Sequence, residues 1–386
     1  MKKIVCIVLS TLMFILGSEA AFADGEDVPA VSNSVSPSVP YSYVLMEGST
    51  GTLLYSDNGN ALFRPFHASK LMTLLLLCEA MDRGELSADS VITVSKNANS
   101  QQGAQIWLDT GEQILLDELI MAITVGNAND AAVAIAEAVG GTEENFVSLM
   151  NLRAAELGMV STYYADPTGV GDGSVTTACD TAILASALSK YDFLTEYMTT
   201  WMTYVRGGKA ELVSTNRLIR SYSGITGMKA YSHEECGNCL VASAKRGDMT
   251  MICVIFGEPD EYERFNTAKE KMNIGFSAYT LYQPKRNDIF LEDTAVSKGV
   301  DTYVKTDISG LEPFVIRTGR EDDIEISTEY FSDITAPLEA GSCVGKVIYT
   351  IDDEEIYSAD IVSASEVKRI NLFYAFLKAV TSIFAG

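Results

Sequence analysis

The sequence predicts a mixed α/β (α+β) domain, a C-terminal all-β domain and a terminal amphipathic helix. Three features carry the prediction. Strongly apolar helical runs alternate with short strand pairs up to about Pro284. Beyond that point, short strands alternate with acidic turns and no helical period appears. Only at the very end does helical spacing return.

In chain order, Met1-Lys2-Lys3 precedes an apolar run from Ile4 to Gly17 and the small residues Ala21-Phe22-Ala23. A basic start, a short apolar core and a small-residue end predict a secretory signal over 1–23, cleaved after Ala23. The run is shorter than the roughly 20 residues a membrane span needs. Residues 24–40, acidic and then rich in Ser, Pro and Val, read as a linker. The main domain is placed at 41–284. It opens with strands at 41–46 and 52–55, joined by Glu47-Gly48-Ser49-Thr50-Gly51. Residues 70–81 form a helix too hydrophobic to lie anywhere but in a core. Further helices are predicted at 115–125, 131–139, 146–157 (ended by Gly158) and 180–190. Residues 239–244 and 249–256 read as an antiparallel hairpin around 245–248.

A β-rich domain is placed at 286–365, with short strands at 302–304, 314–317, 324–326 and 346–351. In the tail, 366–386, Ile370, Phe373, Leu377, Val380 and Phe384 recur at three- and four-residue steps. Lys368, Asn371, Lys378 and Ser382 fall on the opposite face. Such a helix suits a membrane surface, where anionic headgroups attract the lysines; docking on the protein's own body is the alternative. Signal and tail together predict export and residence on the outer face of the cytoplasmic membrane.

The chain of 386 residues carries 28 Lys plus Arg against 52 Asp plus Glu, a formal charge of −24. That balance argues against nucleic acid, which needs a basic face. It also confines any attraction of the tail lysines to within a Debye length. There is no glycine-rich phosphate loop and no internal repeat, and no cofactor is expected. Cys6 leaves with the signal, and Cys78, Cys179, Cys236, Cys239, Cys253 and Cys343 remain. Cys78, Cys239 and Cys253 lie in apolar runs and read as small buried hydrophobes. Cys236-x-x-Cys239 has the spacing of a redox pair but no companion pair for zinc.

Three short stretches concentrate the polar chemistry: Pro65-Phe66-His67-Ala68-Ser69-Lys70, Asn127-Ala128-Asn129 and Lys229-Ala230-Tyr231. In order and surroundings they resemble the Ser-x-x-Lys, Ser-x-Asn and Lys-Thr-Gly motifs of serine D-alanyl-D-alanine carboxypeptidases, the low-molecular-weight penicillin-binding proteins. Lys70-Leu71-Met72-Thr73, Asn129-Asp130-Ala131-Ala132, Asp166-Pro167-Thr168-Gly169, Thr215-Asn216-Arg217-Leu218 and the stretch from Gly237 to Ala244 are similar to further landmarks of that family, in order. The resemblance spans about 41–284 and, more loosely, the β-domain. It implies a serine β-lactamase/penicillin-binding-protein-like transpeptidase fold. It also implies a peptidoglycan stem peptide, or a cell-wall enzyme, as partner.

Each motif departs from the family at a chemical position. In that family a serine attacks, and the lysine three residues on, sharing its helical face, supplies the base. Here the nucleophile position is His67, with Lys70 kept. The relay serine is replaced by Asn127, which cannot pass a proton as a hydroxyl does, while Asn129 is kept. In the third motif Lys229 is kept, the threonine is Ala230, and the glycine that lets substrate lie along the strand is Tyr231, whose ring takes that space. The resemblance therefore implies His67, Lys70 and Asn127 at catalytic positions, and Asn129, Lys229, Ala230 and Tyr231 at binding positions. Three losses in one cleft predict a catalytically degenerate relative. The alternatives are an active enzyme with Ser69 or His67 as an atypical nucleophile, or a non-catalytic cell-wall scaffold. Adjacent helical residues point about 100° apart, which turns Ser69 away from Lys70. The only two histidines, His67 and His233, with Glu234 or Cys236, lack the fixed spacing of a zinc site, and no metal is expected.

Overall fold

A computed structural model describes residues 40–371. At its centre lies an antiparallel five-stranded sheet built from both ends of the first domain. Strands β1 (Ser42–Glu47) and β2 (Thr52–Asp57) come first. The longer helices follow: α1 (Ser69–Asp82), α2 (Leu116–Gly126), α3 (Asn129–Gly140), α4 (Glu143–Glu156) and α5 (Ala178–Leu188). Strands β3 (Ile225–His233), β4 (Gly237–Arg246) and β5 (Met249–Glu258) and helix α6 (Glu263–Ala278) complete the domain. The strand order is β2-β1-β5-β4-β3, which leaves β3 at the edge facing the helical cluster.

Period-two alternation sorts the sheet residues between two cores. Val44, Met46, Val241, Ile252 and Val254 pack with α1 to α5 on one face. Tyr43, Leu45, Leu240, Met251 and Cys253 pack with Phe265, Ala268 and Met272 of α6 on the other. Strand β5 is covered on both faces, so its sequence, MTMICVIFGE, runs apolar without alternating. Helix α1 is buried almost all round, as its composition requires.

The elements expected between 41 and 351 are present, with ends shifted by up to four residues. Several others were not read from the sequence pattern, helix α6 and strand β3 among them. Helix α6 shows only a thin stripe (Phe265, Ala268, Met272, Gly275) within a polar surround, which gives a weak periodic signal. Strand β3 begins at a bulge next to Gly227, which blurs its alternation.

The C-terminal domain has its own core, which includes Val304, Phe314, Val347, Tyr349 and Ile361. Its largest sheet contains β6 (Thr306–Ser309), β7 (Glu325–Tyr330), β8 (Cys343–Ile351) and β9 (Glu354–Ser363), in the order β6-β9-β8-β7. The start of the expected tail helix is corrected. Val367 is buried in this core and bridges to Leu338, and the Ile370 N–H donates to Lys298 O at 2.9 Å. Residues 366–370 are thus extended and belong to the β-domain. The rest of the expected helix (372–386), the signal at 1–23 and all but the last residue of the linker at 24–40 lie outside the described residues. Among the described residues, no helix is long and apolar enough to cross a membrane.

Candidate active site

The first motif sits where a one-turn helix, Phe66–Ala68, runs into α1. His67 is therefore not on the α-helix with Lys70 but one tight turn before it. The turn is unusual. Phe66 has φ = 42°, a left-handed conformation rarely taken by a bulky residue. Its ring is held by stacking on His233 with centroids 3.9 Å apart, and Arg64 lies over it at 4.7 Å.

Lys70 is fully buried, and its ammonium has three protons to place. Its Nζ lies 2.7 Å from Asn129 Oδ1, 2.8 Å from Thr168 O and 3.0 Å from His67 Nδ1. The Thr168 carbonyl is presented by a loop that Asp166 organises. One Asp166 carboxylate oxygen accepts from the Thr168 and Gly169 N–H groups at 2.8 and 2.7 Å, and the other from Gly171. Asn129 opens α3, and its Nδ2 donates to Gln102 O at 2.6 Å. Burial pulls Lys70 down to about 7, against the opposing pull of Asp166 and Asp130. Burial, and then the Lys70 and Lys229 charges, pull His67 down to about 2, so its ring is neutral. When Lys70 donates to Nδ1, the ring proton sits on Nε2.

Ser69 is excluded from this network. Its Oγ is buried and has no hydrogen-bond partner. A Cβ on Gly169 would stand 2.6 Å from that oxygen and 2.0 Å from Phe66 O, so only glycine lets the loop press so close. The loop closes Ser69 off.

The second and third motifs meet across the end of α2. Asn127 caps that helix in the left-handed conformation, φ = 55°. Its Oδ1 accepts from Lys229 Nζ at 2.9 Å. The same ammonium donates to Ile123 O and, at 3.3 Å, to Thr124 O. Lys229 is thus a buried amine at a helix C-terminus, where the backbone dipole favours its charged form. Burial, with the Lys70 charge second, pushes its pKa well below the ordinary ammonium range.

Ala230 faces the α6 side of the sheet, and its carbonyl accepts from the Thr215 hydroxyl. Tyr231 turns back toward the helices. Its hydroxyl donates to Pro65 O at 2.7 Å, and its ring meets the His67 ring edge-on at 5.7 Å. The ring fills the strand side of the site and ties β3 to the turn that carries His67.

A cleft of about 410 Å³ opens above these residues, with His67, Asn129 and Tyr231 at its base. The mouth is formed by Arg64, Asp172, His233 and Glu235.

Against known proteins, residues 32–260 match the D-alanyl-D-alanine carboxypeptidase family model, and residues 276–369 match that of the penicillin-binding protein 5 C-terminal domain. The chain belongs to the D-alanyl-D-alanine carboxypeptidase family. It is 33% identical to the D-alanyl-D-alanine carboxypeptidase DacF of Bacillus subtilis (strain 168), over 98% of this chain and 97% of that protein. It is 27% identical to DacC of Escherichia coli (strain K12), over 94% and 92%. The structure of penicillin binding protein 5 from Haemophilus influenzae superposes with a TM-score of 0.76 at 25% identity, covering 85% of this chain and 97% of that one.

The carboxypeptidase motifs read from the sequence converge in one place. His67, Lys70 and Asn129 meet directly, and so do Lys229 and Asn127. Ala230 joins only through its backbone. The two histidines line the same cleft, yet among the described residues no cluster of three or more His, Cys, Asp or Glu side chains is placed to hold a metal. Asp172 and Glu235 at the mouth were not anticipated. Single acidic residues in a chain this acidic give no signal.

Proposed function

We propose that this protein is a carboxypeptidase-family member that binds a cell-wall peptide in its cleft and has lost hydrolysis. Relatives named D-alanyl-D-alanine carboxypeptidases support the ligand class. The observation that carries the loss is the set of partners around Lys70 Nζ. They are an amide oxygen, a backbone carbonyl and an imidazole nitrogen, with no hydroxyl among them. A base with no hydroxyl to deprotonate cannot start acyl transfer to serine. Asn127 offers Lys229 an acceptor but no relay proton, and Tyr231 fills the space the substrate would need beside the strand. In this reading the cleft belongs to a domain at 41–284, followed by a β-domain and a surface-seeking tail. The chain is exported and held at the outer face of the membrane.

A second reading, His67 as the nucleophile, has one observation in its favour. Lys70 titrates at about 7, and once neutral its lone pair can accept the Nδ1 proton, which leaves Nε2 free to attack. One assay separates the two readings. The purified protein is incubated with a D-Ala-D-Ala-ended peptide, and both D-alanine release and peptide binding are followed from pH 6 to pH 9. Binding without release at any pH is the expected result. Release that rises through pH 7 and disappears in His67→Ala would establish the second reading.

A further inference from the structure

The positive charges of the cleft are already spent on the protein itself. When protonated, Lys70 places its three protons on His67, Asn129 and Thr168; when neutral, it carries no charge to offer. Lys229 places its protons on Ile123, Thr124 and Asn127. At the mouth, Arg64 pairs with Glu235 at 2.7 Å and Asp172 at 3.2 Å and donates to Val170 O and Gly171 O. Its Nε is buried, out of reach of a ligand. Arg217, two residues beyond the threonine that meets Ala230, turns away to stack on Tyr262 and pair with Glu261. One guanidinium therefore faces two carboxylates, of which Asp172 is 98% exposed and Glu235 49%. The base of the cleft offers the Nε2–H of a neutral His67, an uncharged donor suited to a carbonyl oxygen.

We propose that the cleft takes a peptide most tightly through an uncharged carbonyl at its base and an ammonium group at the Asp172–Glu235 mouth, and holds a free C-terminal carboxylate more weakly. A carboxylate entering the cleft sheds water without gaining a cation. A carbonyl at the same place gives up little and gains the imidazole donor. The amine adds a modest rim attraction. This rests on the reading that the cleft binds a cell-wall peptide.

Calorimetric titration of the full chain tests it with three probes: Nα-acetyl-Lys-D-Ala-D-Ala as the free acid, as the C-terminal amide, and as the amide with the lysine side chain also acetylated. The amide should bind about tenfold more tightly than the acid. Acetylating the lysine should weaken the amide about two- to fivefold. Glu235→Gln should abolish that difference and strengthen the free acid, because Arg64 loses one partner. A free acid that binds as well as the amide overturns this proposal and leaves the peptide-binding reading standing. An amide indifferent to acetylation overturns its ammonium half. Failure of all three probes to bind overturns both the proposal and the reading beneath it.

Discussion

The helical wall of the cleft answers its buried lysines with polar partners; the strand wall meets the site with a ring and turns a methyl group away. His67 and Asn127 each present a nitrogen or oxygen to a buried lysine. Ala230 and Tyr231 present a methyl group and a ring. The difference follows from burial. An ammonium under the helices must find acceptors or leave a bare charge in the core. The edge strand has no such debt and can lose a hydroxyl at little expense. It follows that Lys70 and Lys229 are explained by structure alone, so their presence is no argument for turnover.

The largest expected effect tests that explanation. Lys229→Ala leaves three buried acceptors at the end of α2 without their donor, each at a cost of about 1–3 kcal/mol, and should lower unfolding stability by about 3–5 kcal/mol in a urea titration. A loss below about 1 kcal/mol, the range of an exposed substitution, would mean the lysine is kept for a ligand instead. Tyr231→Phe should cost about 1–2 kcal/mol, since Pro65 O is left without its donor. If the two variants cost the same, the contrast between the walls fails.

Acid offers a test with a definite sign. His67 titrates at about 2 in the folded protein against an ordinary 6.5. The unfolded chain therefore takes up that proton first, and the stability His67 contributes above 6.5 is lost as pH falls from 6.5 toward 2. Lys70, at about 7 against 10.5, acts in the same direction over its own higher window. His67→Gln should flatten the slope of stability against pH between 6 and 4, read from urea midpoints. An unchanged slope would place the ring in water.

The smallest expected effect concerns Ser69. Its hydroxyl is buried without a partner, so Ser69→Ala should change stability by less than about 1 kcal/mol, in the stabilising direction if at all. A loss of several kcal/mol would reveal a partner for that hydroxyl.

Much of this was legible in the sequence because local chemistry carried it. The apolar run of α1, the motif spacing and the hairpin of β4 and β5 needed no knowledge of distant residues. What stayed hidden depends on long-range partners. The hydroxyl of Tyr231 meets a carbonyl 166 residues earlier, and Lys229 reaches the end of a helix more than 100 residues away. The family resemblance places both residues at the site, yet it shows the tyrosine only as an obstacle, not as a tie between β3 and the His67 turn. The closing of Ser69 by Gly169 depends in the same way on a loop that arrives from far along the chain.

The decisive measurement is intact-protein mass after incubation with a penicillin, alongside Ser69→Ala and His67→Ala variants. In the proposed reading His67 holds the position of the attacking oxygen and Ser69 is sealed beneath the loop, so the protein should keep its unmodified mass. A stable adduct of one penicillin on the wild-type chain, lost in Ser69→Ala, would contradict this by showing that the serine reaches both Lys70 and the cleft.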